Sequence, residues 1–212
     1  VAPGDGIKKM FTELRADIVV GGGQTMNPST EDFVSAVEKL NADHIFILPN
    51  NSNIVLAANQ AAQVCSDQDI HVLPSKTIPQ GLSACVMFNP DVELEDNLAE
   101  MNEAIENVKS GEVTYAIKDT TYDGLEIKKD EFMGMKNKEI ICCVKDKFEA
   151  AHTLLDSMLD EMSSIVTIIY GDDVSDEDAN AFVEKIASEH EDLDIDVRKG
   201  GQPVYSFIIG VE

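Results

Sequence analysis

Three short segments of the sequence collect hydroxyl and amide side chains of the kind that bind anions. They lie at residues 21–30, 49–53 and 74–81. The candidate binding residues within them are Gln24, Thr25, Asn27, Ser29, Asn50, Asn51, Ser52, Asn53, Ser75, Lys76, Thr77 and Gln80. Such groups near helix N-termini, where backbone amides are free, favour a carboxylate or phosphate oxygen. The same residue types also cap helices and form turns, so for any one of them alone a structural role is the alternative.

These segments lack the motifs of nucleotide binding and of catalysis. The glycines at 21–23 belong to neither a G-x-G-x-x-G nor a G-x-x-x-x-G-K-[ST] pattern. Four histidines stand at strand starts or on helices rather than beside a candidate nucleophile: His44, His71, His152 and His190. The acidic stretch 172–178 lacks the spacing of a calcium loop. The sequence therefore predicts a binding surface, and it assigns no catalytic residue and no metal ligand.

Each polar segment follows an apolar stretch with the character of a β-strand and precedes a helix. The apolar stretches are residues 17–20, 44–48 and 70–73. Strands separated by a single helix imply right-handed crossovers and a parallel sheet. The C-terminal ends of parallel strands lie side by side, where α/β proteins bind their ligands. We therefore expect the three polar segments to converge on one crevice.

The pattern changes after residue 90. An acidic helix is predicted at 93–108, followed by antiparallel strands with a turn at Asp123-Gly124. A helix near 147–160, a strand at 165–170, a helix opened by Ser175 and two final strands complete this half. The predicted fold class is α/β with two lobes. Residues 1–90 form a parallel α/β lobe with three polar loops, and residues 91–212 form an α+β lobe with a mainly antiparallel sheet.

Composition narrows the functional classes. The chain carries 16 Lys and Arg against 40 Asp and Glu, a formal net charge of −24, so phosphate backbones and anionic lipid surfaces would repel it. No apolar stretch approaches the roughly 20 residues that cross a bilayer. The cysteines Cys65, Cys85, Cys142 and Cys143 show no paired spacing, which favours free thiols in the reducing cytoplasm. The start at Val1 has the look of a cut from a longer protein.

Five strings in order resemble a known family. They are residues 19–30, 48–54, 74–81, 119–124 and 200–205, and together they are similar to the C-terminal region of the fatty acid kinase catalytic-subunit family, also described as YloV-type or dihydroxyacetone-kinase-like. The resemblance implies an upstream kinase domain that binds ATP and magnesium, with no cofactor in this region. It also implies that this region docks a DegV-like fatty-acid-binding carrier protein, whose fatty acid becomes an acyl phosphate for phospholipid synthesis. A homodimer would form through the parent protein.

The first lobe also resembles the DegV-like fold of such a carrier. That resemblance matches residues 25–29, 50–53 and 75–77 to the loops that hold an acyl carboxylate. The alternative function is thus a module that binds a small anion or a fatty acid itself. A lipid tail would need an apolar tunnel, and the sequence leaves open whether Met26, Ile54, Leu82 and Val86 line one. A third hypothesis is an independent phosphotransferase or hydrolase that uses the hydroxyls of the loops.

Overall fold

A computed structural model describes residues 1–23 and 26–212, and it divides the chain into two compact units. The first unit is Val1–Val108 and the second is Lys109–Glu212. The boundary therefore lies after Val108, later than the predicted position after residue 90. The acidic helix that follows residue 90 belongs to the first unit, because it packs against the preceding helix.

The first unit alternates helices with two short strands. Its elements are α1 (Asp5–Glu13), α2 (Thr30–Val37), β1 (His44–Ile47), α3 (Val55–Val64), β2 (Asp69–Val72), α4 (Ile78–Met87) and α5 (Leu94–Asn107). The two strands pair in parallel, with His44 opposite Asp69 and Ile47 opposite Val72. The prediction of a parallel arrangement is confirmed for these two strands.

The predicted first strand, residues 17–20, is not part of this sheet. Gly21 forms an isolated parallel bridge with Ala2 instead. The Ala2 amide donates to the Val20 carbonyl at 3.1 Å, and the Gly22 amide donates to the Ala2 carbonyl at 3.3 Å. The amino group of Val1 in turn donates to the Leu48 carbonyl at 2.7 Å. The first two residues of the chain thus lie between the predicted strand and the end of β1, so the two segments do not pair directly there.

Helices cover both faces of β1. On one face Ile45 and Ile47 pack with residues of α2 and α3, among them Phe33 and Ala58. On the other face Phe46 and Leu48 pack against a separate cluster that contains Met101. Burial of one such side chain contributes about 1.5–3 kcal/mol relative to exposure. The strands are therefore an interior layer, as expected for a parallel sheet.

The second unit contains a six-stranded mixed sheet and a separate hairpin. Its elements are β3 (Lys109–Tyr115), β4 (Thr120–Tyr122), β5 (Leu125–Ile127), β6 (Phe132–Lys136), β7 (Glu139–Val144), α6 (Lys147–Met158), β8 (Ile165–Tyr170), α7 (Asp176–Glu189), β9 (Asp194–Lys199) and β10 (Tyr205–Val211). The strand order is β7-β6-β3-β10-β8-β9, and only β8 and β9 pair in parallel within it. The mainly antiparallel character predicted for this half is observed.

Helices α6 and α7 pack against the sheet through one hydrophobic cluster. Leu154 and Leu155 of α6, Phe182 of α7, and Ile168 and Phe207 of the sheet all belong to it. The strands facing α6 use glycine at the closest approach. A Cβ atom on Gly111 would lie 2.6 Å from the sulfur of Met158, a distance that only a side-chain shift could relieve. The glycine lets the helix lie directly on the sheet.

Candidate functional site

The second and third polar loops meet directly, and Asn50 is the residue that joins them. Its backbone amide donates to Ser75 Oγ at 3.1 Å, and both residues are buried. Its side-chain Nδ2 donates to the Val1 carbonyl at 2.9 Å. Asn50 has φ 58°, a left-handed conformation that asparagine tolerates better than most residues. The predicted convergence of these two loops is therefore observed, with their polar groups bonded to each other.

Several other candidate residues hold the start of α4. Thr77 Oγ1 accepts from the Gln80 amide at 3.4 Å, which caps the helix. The Lys76 amide donates to Gln80 Oε1 at 2.8 Å. Gln80 Nε2 then donates to the carbonyl of Ile105 in α5 at 3.1 Å. In the second loop, Asn51 Oδ1 accepts from the Asn53 amide at 2.9 Å. These contacts are structural, and they occupy polar atoms that a ligand would otherwise use.

The first polar loop contributes a helix cap. Ser29 opens α2 in a capping box, in which its amide donates to Asp32 Oδ2 at 2.7 Å and the Asp32 amide donates to Ser29 Oγ at 3.3 Å. These hydrogen bonds lower the pKa of the Asp32 carboxyl. Asn27 is exposed. The candidate residues Gln24 and Thr25 lie outside the described residues.

The three loops form one continuous edge through the start of the chain. The Ala2 carbonyl accepts from Gly22 of the first loop, while the Val1 carbonyl accepts from Asn50 of the second. Burial divides the candidate residues. Asn50, Asn51 and Ser75 are buried, Ser52, Thr77 and Gln80 are half-buried, and Asn27, Ser29, Asn53 and Lys76 are exposed. The exposed members form a polar rim.

Two large apolar side chains stand exposed in the same stretches of chain. Met26 of the first loop is 74% exposed, and Leu56, in the first turn of α3, is 68% exposed. We call Met26, Asn27, Asn53, Leu56 and Lys76 the loop surface. Exposed apolar groups among polar ones are typical of a surface that meets a protein partner.

A cavity of about 330 Å³ lies within the first unit, away from most of the candidate residues. Residues 14–20 and 44–48 line its two sides, and side chains that include Phe33 and Met101 close it. Of the twelve candidate residues, the cavity lining includes Asn50 alone among those that the structure describes. Burial raises the pKa of Cys85, which also lines the cavity, to about 11.

The residues considered for a lipid tunnel do not line this cavity. Ile54 is buried in the cluster with Phe33, whereas Met26 and Val86 are exposed to solvent. A fatty-acid site needs carboxylate-binding groups at the mouth of an apolar channel. Here the polar loops and the apolar cavity meet at Asn50.

A group that could hold a metal ion lies at the opposite end of β1 and β2. His44 Nδ1 is 2.6 Å from Asp69 Oδ2, and His71 Nε2 is 3.0 Å from the same oxygen. The hydrogen bonds from His71 and His44 lower the pKa of Asp69. The sequence analysis assigned no metal ligand here, because 25 residues separate His44 from Asp69. The parallel register, which places His44 opposite Asp69, is the signal that would have found the group.

The histidine of α6 is part of a surface ion-pair network. His152 Nε2 lies 2.5 Å from Glu189 Oε2, and its Nδ1 lies 3.1 Å from Asp156 Oδ2. This network lowers the pKa of Glu189, with the His152 hydrogen bond as the main cause. Both ring nitrogens face carboxylates, so this imidazole does not have the arrangement of a base beside a nucleophile.

Among the described residues, none of the helices combines the length and the apolar character that crossing a bilayer demands.

Comparison with known proteins places the chain in a family. The family of FakA-like fatty acid kinase C-terminal regions matches residues 1–212. Protein YloV of Bacillus subtilis is 50% identical over 212 residues, and these cover the whole chain but 38% of that protein.

Solved structures share the fold at low sequence identity. The Streptococcus pneumoniae fatty acid kinase (Fak) B3 protein, loaded with linoleic acid, has a TM-score of 0.62 and 16% identity over 98% of this chain and 83% of its own. The dihydroxyacetone kinase of C. freundii has a TM-score of 0.59 and 13% identity over 91% of this chain and 42% of its own. The two-lobed α/β fold thus occurs in DegV-like and dihydroxyacetone-kinase structures. With the family match over its full length, the chain belongs to the FakA-like fatty acid kinase C-terminal family.

Proposed function

We propose that this chain is the non-catalytic, carrier-docking region of a fatty acid kinase. The parent enzyme would transfer a phosphoryl group from ATP to a fatty acid that a DegV-like carrier presents, and the acyl phosphate would serve phospholipid synthesis. The observation that carries the proposal is the family match over residues 1–212. The chain spans 38% of the length of Protein YloV, so ATP and magnesium binding are assigned to the rest of the parent protein.

The geometry of the polar loops supports docking over chemistry. Asn50, Ser75 and Gln80 use their polar atoms to hold loops and helices of the first unit together. What these loops offer outward is the loop surface, which combines exposed amides, one lysine and two exposed apolar side chains. A protein partner can bury such apolar groups, and burial is the main source of affinity at interfaces.

Two substitutions on one helix test the proposal in the parent protein. Leu56 in the first turn of α3 and Val64 at its end are exposed to nearly the same extent, 68% and 66%. Leu56→Asp should weaken carrier binding at least tenfold, because a charge is placed in the docking surface. Val64→Asp is the matched control and should leave binding within about twofold. Titration calorimetry with the purified carrier measures both, and equal effects would contradict docking through the loop surface.

Deletion of residues 1–212 from the parent tests the division of labour. The truncated protein should retain nucleotide binding and lose both carrier binding and acyl phosphate formation. Full carrier binding and full turnover by the truncated protein would overturn the proposal.

The cellular setting is part of the same proposal. The four cysteines are free thiols, which fits the reducing cytoplasm, and the net charge of −24 disfavours nucleic acid as a partner. We assign the parent to the cytoplasm, as a homodimer held together outside this region. Analytical ultracentrifugation of this chain against the parent tests that assignment, since this chain should sediment as a monomer.

The cavity favours a second candidate, a module that binds a fatty acid or another small anion. Its volume of about 330 Å³ lies at the lower end of the range for small-molecule sites. Native mass spectrometry of the purified parent after incubation with fatty acids decides between the two. A bound fatty acid that Asn50→Ala abolishes would favour this candidate.

A further inference from the structure

The cavity of the first unit lies between two extended segments that run in the same direction. Residues 16–20 line one side and residues 44–48 line the other. Phe33 and Val37 of α2 close one face, and side chains that follow β2 in the sequence, including Met101, close the other. Apolar side chains above and below, with strand-like backbone on both sides, are the surroundings of an interior strand in an α/β sheet.

The hydrogen-bond pattern of β1 shows which of its groups face the cavity. In a parallel ladder, alternate residues direct their amide and carbonyl to opposite sides. The Ile47 carbonyl accepts from the Leu73 amide at 3.0 Å, so Ile45 and Ile47 face β2. Phe46 and Leu48 therefore direct their amides and carbonyls towards the cavity. The Leu48 carbonyl does so visibly, because it accepts from the Val1 amino group.

Val1 and Ala2 already occupy the mouth of the cavity as the last residues of such a strand would. Val1 bonds to the β1 side, through Leu48. Ala2 bonds to the other side through Val20 and Gly22, in a parallel bridge with Gly21. Extrapolated backwards from Val1, the same ladder runs between residues 16–20 and β1, parallel to both.

We propose that the cavity is the seat of an interior β-strand, supplied by the stretch of the parent protein that leads into Val1. In this register the residue before Val1 pairs with Val19, and the second residue before it pairs with Ile47. About five residues, spanning roughly 16 Å, would match the length of the two sides. Because both faces are covered, they should be apolar and rich in β-branched types. The relatives are longer than this chain, and its family is described as C-terminal, so a preceding stretch is available.

The backbone favours this occupant over a lipid tail. Buried amide groups need hydrogen-bond partners, and leaving one unpaired costs about 1–3 kcal/mol. A strand offers the Phe46 and Leu48 amides carbonyl acceptors in register, whereas an acyl tail offers none. The inferred strand would convert the two-stranded sheet β1–β2 and the segment 17–20 into a continuous sheet with four strands. It does not depend on the carrier-docking proposal.

Amide hydrogen exchange in the parent protein, resolved to single residues by fragmentation mass spectrometry, tests the inference. The matched control is on the same strand, because the Ile45 and Ile47 amides bond to β2 whether or not the cavity is filled. The expected result is that Phe46 and Leu48 exchange as slowly as Ile45 and Ile47. Exchange of Phe46 and Leu48 more than about tenfold faster than the controls would overturn the inference.

A second variant keeps the test independent of any single measurement. Proline in place of the second residue before Val1 removes the amide that should donate to the Phe46 carbonyl. In that variant of the parent, the exchange of Phe46 and Leu48 should accelerate at least tenfold while Ile45 and Ile47 change less. Unaltered exchange at all four amides would overturn the assigned register. A small molecule found in the cavity by native mass spectrometry would overturn the occupant.

Discussion

Asn50 shows how one residue can link two loops from inside the molecule. Its left-handed backbone, with φ 58°, turns the amide towards Ser75 and the side chain towards Val1. The backbone of Gly81 in α4 lies directly against this side chain, since a Cβ atom there would be 2.0 Å from Asn50 Oδ1. Asn50 is 5% exposed. Its amide therefore holds the loops together and is closely surrounded by α4.

Substitution of Gly81 tests this packing. Gly81→Ala should destabilise the first unit by about 2 kcal/mol, because overpacking a buried site costs typically 1–3 kcal/mol. Urea unfolding followed by circular dichroism measures the change. The double variant Asn50→Gly/Gly81→Ala removes the overlapping side chain and keeps a residue that adopts positive φ. The effect of Gly81→Ala should then be much smaller, and strictly additive effects would show that the overlap is not the cause.

The candidate residues illustrate what could be predicted at this scale. The order of strand, loop and helix was enough to bring Asn50 and Ser75 to one edge. It could not show that their polar groups bond to each other, because each partner lies 25 residues away in sequence. Single-residue reasoning also favours helix caps for Ser29 and Thr77, and the structure has both. The role of the candidate set in binding stays a prediction.

At the scale of elements, local signals located most helices and strands. The Ser175 cap opens α7 and the strand at 165–170 is β8, both as predicted. The stretch 17–20 has an equally apolar pattern yet joins no sheet with β1, because a ladder depends on a neighbouring backbone that the pattern does not contain. β6 (Phe132–Lys136) was missed, since Gly134 interrupts any alternation that would indicate a strand.

The pairing of β3 with β10 places a carboxyl group in a partly apolar setting. Burial raises the pKa of Glu112 above its ordinary value, although a hydrogen bond with Tyr205 acts in the opposite direction. In the same pair, burial raises the pKa of the Tyr205 hydroxyl. A carboxyl whose folded pKa is raised stabilises the fold when protonated. Its contribution is lost as the pH rises from the unfolded value of 4.5 through the folded pKa.

Glu112→Gln should therefore stabilise the second unit at pH 8 and change it little at pH 4, since the amide carries no charge to desolvate and its oxygen can still accept from Tyr205. Urea midpoints between about pH 4 and pH 8 measure the effect. Glu126→Gln in β5, an exposed position, is the control and should show no such pH dependence. A loss of stability at pH 8 would contradict the argument.

For the whole molecule, the two-unit organisation was predictable but its boundary was not. Turn signals near residue 90 predict a domain limit there, whereas packing of α5 against α4 moves the limit to Val108. Charge is the other property of the whole chain, and it follows from the sequence alone. With a formal charge of −24 over 212 residues, mutual repulsion among carboxylates opposes the compact state.

Added salt should consequently stabilise the protein. Between about 20 mM and 500 mM sodium chloride the Debye length falls from roughly 20 Å to about 4 Å, so repulsion between distant carboxylates is screened. The melting temperature should rise by several degrees, measured by differential scanning calorimetry. Sorbitol at equal osmolarity is the control for effects that do not involve charge. A melting temperature that falls with salt would indicate that attractive ion pairs outweigh the repulsion.

The β4–β5 hairpin has a practical consequence for labelling. Its tip, Asp123-Gly124, has φ 47° and 83° and is exposed, and the hairpin forms a sheet of its own beside the six-stranded one. Exposed loop tips accept inserted sequence more readily than any other part of a fold. A short epitope or a fluorescent reporter placed between these two residues would leave both chain ends free, so the protein could be tracked or immobilised within its parent.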